Sequence, residues 1–492
     1  MQSQVGTYVK QLAGESLVYG VAGVITRCIG IVLIPLYTRV FKPDDYGIVA
    51  LLDVFIMLVL QFVVLGLDTA TTRWFFDSDD PADHRSAISS WFWCQFTVGM
   101  IVAAVIALLS PWISNLLLGS EQYSPLLRLA AFAMPLFAGG YVARSWLRFQ
   151  RRPLLTVTFS SCATLATVGL VILYVLVWRR GLSGLYTARL IGEVLTCLTG
   201  VVILGKWMSP RAVSWTRLKS MLRYGLPAVP AGIGLWLMMS SNRFILDRFS
   251  TKAEVGLFFA AAQIASAVGL VCGAFQTAWF PFALSIHKEE TARRVYAKVL
   301  DLYSFFGCAL CTALTLFAPL VFRLLTYKPY YAAASCVSFL AFTMFLEPAR
   351  QIAWLGSSIV KDSKPLALSL GLGAAGSIGL GFVLIPPFGR DGAAAANMLA
   401  YCLSVVYLFR MSQKSYYIPY RWRVTLTCFV FSWLLIALDR WLIPDDSLST
   451  YLIRGAMLLL FLPLGVWFGL IRWRYLRELL ARGPSESQQE IA

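Results

Sequence analysis

Residues 21–35 read Val21-Ala-Gly-Val-Ile-Thr-Arg27-Cys-Ile-Gly-Ile-Val-Leu-Ile-Pro35. The run is apolar nearly throughout and lacks the alternation of a half-buried strand, so it reads as a helix. With its flanks it reaches the ~20 residues a helix needs to cross a bilayer. Arg27 sits near its middle. A charge at the bilayer centre costs about 3 kcal/mol on insertion scales. Arg27 is therefore expected to meet a wet cavity or an anionic partner.

The same pattern recurs down the chain. Apolar runs fall at about 14–37, 46–69, 88–110, 124–147, 153–177, 184–205, 223–246, 254–281, 297–322, 332–358, 365–386, 391–410, 425–443 and 451–471, each of membrane-crossing length. Charged residues make up 14% of the 492 positions, against roughly 25% in soluble domains. The expected fold is an all-α polytopic membrane protein with about 14 transmembrane helices. A transmembrane barrel is excluded, because its strands are alternating segments of about ten residues.

The net charge of +17 does not point to nucleic acid. Of the 42 Lys and Arg, about 26 fall at the termini and in the loops after even-numbered spans, as the positive-inside rule requires of cytoplasmic segments. Loop 144–153 carries Arg144, Arg148, Arg151 and Arg152, and loop 206–223 carries Lys206, Arg211, Arg217, Lys219 and Arg223, whereas loop 111–123 carries none. Both termini are expected in the cytoplasm. The polar first 13 residues and the long first apolar run predict no cleavable signal peptide. The ten cysteines lie inside apolar spans. Cys308-x-x-Cys311 has redox or metal spacing but no histidine near it, and reads as small apolar filler. No phosphate loop, nucleophile elbow or zinc-binding histidine pair is present, so ATP-driven transport by this chain alone and zinc chemistry are disfavoured.

A weak repeat divides the chain. Arg39-Val-Phe-Lys-Pro-Asp-Asp-Tyr-Gly47 closes the first hairpin, and Arg248-Phe-Ser-Thr-Lys-Ala-Glu-Val-Gly256 closes that of spans 7 and 8. The arginines and glycines match, and Asp45 meets Glu254. Two pseudo-symmetric six-helix lobes are expected, at 1–210 and 211–411, with two further helices and a cytoplasmic tail at 412–492. Transporters built from such repeats bind substrate between them.

Ionisable residues at membrane depth are the functional candidates. Asp53 lies in span 2 and Asp68 near its end. Arg189 and Glu193 lie four apart in span 6, and Glu347 and Arg350 three apart in span 10. Each of those couples is equally readable as a self-neutralising pair on one helix face. Arg243 either serves a site or snorkels to the interface with Asp247 and Arg248. Asp53 is the candidate neutralising partner of Arg27. Pro227 and Pro230, in Pro227-Ala-Val-Pro-Ala-Gly-Ile-Gly234, are a candidate hinge or a static kink.

The segments Pro35-Leu-Tyr-Thr-Arg-Val-Phe-Lys-Pro-Asp-Asp-Tyr-Gly47 and Gly66-Leu-Asp-Thr-Ala-Thr-Thr-Arg-Trp-Phe-Phe76 resemble Wzx-type polysaccharide flippases (O-antigen and exopolysaccharide flippases) of the multidrug/oligosaccharidyl-lipid/polysaccharide exporter superfamily. So do Tyr224-Gly-Leu-Pro-Ala-Val-Pro230, Asn242-Arg-Phe-Ile-Leu246 and Gln276-Thr-Ala-Trp-Phe-Pro-Phe282. Asn242 departs from the aspartate frequent in relatives, so no charge pair is implied there. The resemblance implies a non-enzymatic flippase that carries an undecaprenyl-diphosphate-linked oligosaccharide to the outer leaflet for lipopolysaccharide or exopolysaccharide synthesis. Membrane lipids, and polymerase and chain-length machinery, are the implied partners. Arginine binds phosphate through bidentate contacts, so Arg27, Arg189, Arg243 and Arg350 are candidates to line a cationic cavity. Gln263, Gln276 and Asn397 are candidates for sugar contacts. No cofactor is expected. A proton or sodium gradient is a candidate driving force, with Asp53, Glu193 or Glu347 as carriers.

Two other classes compete. A cation-coupled multidrug exporter of the same superfamily would favour unpaired acids, an apolar cavity and twelve spans. A membrane glycosyltransferase, polymerase or ligase acting on lipid-linked sugars would need a sizeable outer loop, and the outer connections are only about a dozen residues long by the span limits above.

Overall fold

A computed structural model describes residues 33–360, 362–442 and 448–470. The tail of a first helix, α1 (33–40), leads into α2 (Pro43–Val64) and α3 (Leu67–Phe76). Then follow α4 (Pro81–Leu118), α5 (Ser124–Phe149), α6 (Pro153–Val171), α7 (Gly181–Leu204), α8 (Trp215–Gly225), α9 (Val229–Phe249), α10 (Lys252–Ser285) and α11 (Ala292–Leu316). The chain ends with α12 (Ala318–Leu325), α13 (Val337–Ile359), α14 (Lys364–Ser415), α15 (Trp422–Leu442), α16 (Leu448–Leu459) and α17 (Phe461–Trp467).

Several helices begin on a proline, which has no N–H to leave unpaired in the first turn: Pro43, Pro81 and Pro153. The α4 start is fixed further by Asp80, whose carboxylate accepts from the Ala82 N–H at 2.9 Å. Eleven helices among the described residues are long and apolar enough to cross a membrane. One of them, α14, has 52 residues, about 78 Å at 1.5 Å per residue, enough for two crossings of a ~30 Å core. The expected spans 365–386 and 391–410 are its two halves, and the chain turns at Gly389, whose φ is 54°. α9 carries Ser240-Ser241-Asn242-Arg243 and is less apolar, yet its 21 residues have spanning length. The expected span 46–69 lies within Pro43–Phe76, one of those eleven. It is α2 followed by α3, separated by Leu65 and Gly66 at φ 53° and 67°. Two left-handed residues in succession end one helix and redirect the next.

Helices α4 and α5, α5 and α7, and α6 and α7 pack on one another, as do α9 and α14, α13 and α14, α10 and α13, and α11 and α15. The two groups meet chiefly where α2 crosses α10 and α9. α8 lies beyond residue 210 in sequence but packs on α3 and α4 of the first group. Large apolar side chains such as Leu108, Val202 and Leu434 stay exposed on the outer faces, the surface a helix presents to lipid tails.

The crossing of α2 and α10 depends on two glycines. A Cβ on Gly47 would collide with the carbonyl oxygen of Lys252, and a Cβ on Gly256 with that of Pro43. Each glycine thus lies on the carbonyl four positions before the other. The reciprocity is that of a local twofold, and Gly47 and Gly256 are the positions matched by the repeat. At this end Tyr330 Oη donates to the Phe41 carbonyl at 2.9 Å, and the Tyr46 and Phe259 rings lie 4.9 Å apart. Tyr46, Leu51, Val255, Phe258 and Ala261 join one buried core that spans both groups.

Candidate functional site

Below that seal the groups part around a cavity of about 760 Å³. Its walls come from α2, α3, α5, α9 and α10. Arg243, Asp53, Phe259 and Gln263 line it, with Gln61, Asp68 and Trp236. Trp236 Nε1 donates to the Val54 carbonyl at 2.9 Å, which fixes the indole across the α2–α9 interface.

Arg243 is the cation on this wall. Its Cζ lies 4.9 Å from the centre of the Phe259 ring, within cation–π range. Its buried Nε has no hydrogen-bond partner among the described residues. It forms no ion pair there either. The snorkelling alternative is therefore corrected, because α9 turns Arg243 into the cavity.

Asp53 is paired. Arg189 of α7 donates to both its oxygens, Nη1 to Oδ1 at 2.6 Å and Nη2 to Oδ2 at 3.3 Å. The Arg189 guanidinium also stands 5.3 Å from the Tyr186 ring. Two expectations about Arg189 change. Arg189 stands behind Asp53 and is not among the cavity-lining residues. It does not neutralise Glu193, whose charged neighbour is Arg144 of α5. Asp53 already holds a cation, whereas its expected partner Arg27 lies outside the described residues.

Glu347 and Arg350 pair with each other at 3.6 Å. Neither lines the central cavity. α13 is enclosed by α10, α11 and α14, so Arg350, 9% exposed, is held inside the second group. Among the described residues the cationic lining expected from four arginines reduces to Arg243. Of the sugar-contact candidates, Gln263 is on the wall, Gln276 is not, and Asn397 is buried with its Oδ1 unpartnered. Asn242 Nδ2 donates to Ser377 Oγ at 3.1 Å, a neutral link where no charge pair was expected.

The cavity continues toward the end bearing loops 144–153 and 206–223. Asp68 and Thr69 belong both to its wall and to that of a vestibule of about 600 Å³. The vestibule adds Arg73, Arg148, Ser145 and Tyr224. Arg148 Nη2 donates to Ser145 Oγ at 2.9 Å, and Arg73 stacks over Tyr224 at 5.1 Å. Tyr141 Oη donates to Asp68 at 3.0 Å at the junction. Tyr141 was not anticipated, since a single tyrosine in an apolar span carries no distinguishing pattern. Pro227 lies within the short 3-10 turn Leu226–Ala228, between α8 on the first group and α9 in the second, and Pro230 lies in the first turn of α9.

Among the described residues the arrangement is a pit, closed at one end by the α2–α10 contact and continuing at the other into a vestibule lined by Arg73 and Arg148. It can hold an anion on Arg243, hydroxyls on the two glutamines, and flat apolar groups on Phe137, Trp236 and Phe259.

Comparison with known proteins bears on the family and the fold. A family model described as "Polysaccharide biosynthesis protein" matches residues 36–356. The succinoglycan biosynthesis transport protein ExoT of Rhizobium meliloti (strain 1021) is 23% identical over 280 residues, 55% of this chain and 53% of that protein. The match therefore spans about half the length of that relative. The solved structure of the lipid II flippase MurJ, in an inward closed conformation, gives a TM-score of 0.75 at 14% identity, covering 93% of this chain and 100% of that one. An inward-facing multidrug resistance MATE family transporter of the MOP superfamily gives 0.67 at 14% identity, covering 81% of this chain and 95% of that one. At such identities the likeness shows a shared fold.

Proposed function

The chain belongs to the polysaccharide biosynthesis protein family, and from that premise we propose that it flips an undecaprenyl-diphosphate-linked oligosaccharide from the cytoplasmic to the outer leaflet. The observation that carries the proposal is Arg243. It is a cation without an ion-pair partner among the described residues, at the depth of a cavity reached through a vestibule lined by Arg73 and Arg148. A diphosphate fits a guanidinium fork. Gln61 and Gln263 offer the sugars both donors and acceptors. The names of the relatives, a succinoglycan transport protein and a lipid II flippase, support a lipid-linked sugar.

In this reading the open end faces the cytoplasm, and the described state is the one that loads substrate. The lobes, 1–210 and 211–411, rock about the Pro227–Pro230 turn, opening the Gly47–Gly256 seal as the vestibule closes. Proton or sodium coupling is assigned to Asp53, Glu193 or Glu347. The product feeds a polysaccharide polymerase and its chain-length partners in the inner membrane.

Arg243→Ala will cut surface polysaccharide roughly tenfold to a hundredfold, the value of one charged hydrogen-bonded contact, while the protein still inserts. The lipid-linked intermediate will accumulate, and its identification names the glycan. Arg243→Lys will retain part of the activity, since it keeps the charge but loses the fork. Parental polymer levels in Arg243→Ala would remove Arg243 from the site. For the orientation, an alkaline phosphatase fused in loop 206–223 will be inactive and a fluorescent protein there bright, as the basic loop requires. The opposite pattern inverts the topology.

A further inference from the structure

A second cavity, of about 880 Å³, opens on the lipid-facing side of the second group, between the last part of α14 and α15, with α11 and α13 behind it. Leu300, Tyr303, Phe345, Phe409 and Phe429 form its floor and sides. Val406 and Leu426, 49% and 61% exposed, flank its opening. Its walls are almost wholly apolar except at one end. There Arg410 and Lys414, four apart and so on one face of α14, lie beside Trp422 at the start of α15.

Arg410 and Lys414 are both exposed, and neither has an ion-pair partner among the described residues. The neighbouring Arg421 does not share this freedom, because Asp301 holds it at 2.6 Å. Trp422, the first residue of α15, packs edge-on against Phe409 at 5.0 Å, and tryptophans at the ends of spans are the rings that meet lipid headgroups. The crevice thus has the polarity of a phospholipid, with an apolar slot ending at two free cations and an interfacial indole.

We propose that this crevice is a binding site for an anionic phospholipid, with an acyl chain between α14 and α15 and the phosphate on Arg410 and Lys414. Basic pockets between membrane helices bind anionic headgroups in this way. The occupant is a membrane lipid and not the transported molecule. The crevice shares no lining residue with the Arg243 cavity, and α13, which backs the crevice, packs on α10, which walls the cavity. A diphosphate on Arg243 cannot at the same time sit on Arg410. The proposal does not depend on what the central cavity carries.

The test is native mass spectrometry of the full chain in detergent with equimolar dioleoylphosphatidylglycerol and dioleoylphosphatidylcholine. The parent will retain the phosphatidylglycerol preferentially. Arg410→Gln with Lys414→Gln will weaken that retention roughly tenfold or more, the loss of two surface cations. Arg410→Lys with Lys414→Arg will preserve it. Val406→Trp will lower retention of the lipid by filling the slot, with both cations still in place. Thermal unfolding of each variant in detergent confirms that it is folded. Equal retention of the two lipids by the parent, or unchanged retention in the double glutamine or Val406→Trp variants, overturns the site. Displacement of the phosphatidylglycerol by undecaprenyl phosphate at equal concentration overturns the assignment to a membrane lipid.

Discussion

Asp53→Asn will unfold at a lower temperature than the parent and will export no polymer, while Asp53→Asn combined with Arg189→Gln will recover much of the lost stability. The reason is the geometry of the pair. Arg189 donates to both carboxylate oxygens, and its guanidinium stands 5.3 Å from the Tyr186 ring. Removing one partner of a fully buried pair costs about 3–5 kcal/mol, because the other charge stays desolvated and alone. Here the side chains are 33% and 20% exposed, and Asp53 lines the central cavity. The expected loss is therefore nearer 2 kcal/mol, since water relieves part of the penalty. Removing both charges leaves two amides of similar shape and no stranded cation, so most of the loss returns. Thermal unfolding in detergent reads the stability, and a surface polysaccharide assay reads the transport.

The functional consequence has its own sign. Neutralising Asp53 leaves Arg189 uncompensated beside the wall that already carries Arg243. An anionic substrate will bind more tightly and leave more slowly, so transport falls even where the protein is folded. The double variant removes the extra cation and will recover more transport than Asp53→Asn alone. A single Asp53→Asn variant as stable and as active as the parent would show that the pair neither anchors α2 to α7 nor sets the charge of the cavity.

Much of this was legible in the residues, and the parts that were not have a common cause. The spans could be read because lipid imposes continuous apolarity over about twenty residues. The break between the runs 365–386 and 391–410 coincides with the turn at Gly389, where φ is 54°. Asp53 and Arg189 were recognisable as costly charges, but their partnership was not. They are 136 positions apart, whereas Glu193, one turn from Arg189, was the only partner that helix periodicity proposes. Sequence spacing finds pairs within a helix and is blind to pairs between helices. The same blindness hid the link from Tyr141 to Asp68 and the enclosure of Arg350. α8 was absorbed into a basic loop, although Leu218, Met221 and Gly225 recur on one face and are buried against the first group. Its apolar stripe is short, and the surrounding charges mask it.

The repeat is the place where a weak pattern has the largest physical consequence. Gly256→Val will abolish transport, and Gly47→Ala will reduce it severely, because in each case the new Cβ meets a backbone carbonyl of the opposite helix. A backbone atom cannot rotate away as a side chain can, so α2 and α10 must separate. Overpacking of a tight contact costs about 1–3 kcal/mol, more where the neighbour is rigid. That cost falls only on the state in which the two helices touch. The state open at this end is spared, and the equilibrium moves toward it by the full difference. Gln263→Cys, on the cavity wall, will then be labelled from outside the cell by a membrane-impermeant maleimide in the Gly256→Val background, and little in the parent background. The double variant Gly47→Ala/Gly256→Ala will cost less than the sum of the singles, since the first substitution already parts the helices. Gly234→Ala supplies the control. A Cβ there meets nothing within 4 Å, and alanine favours a helix over glycine by up to ~1 kcal/mol, so transport will stay at the parental level. Full transport by Gly256→Val, with Gln263→Cys still shielded from outside, would show that the α2–α10 contact does not gate the cavity.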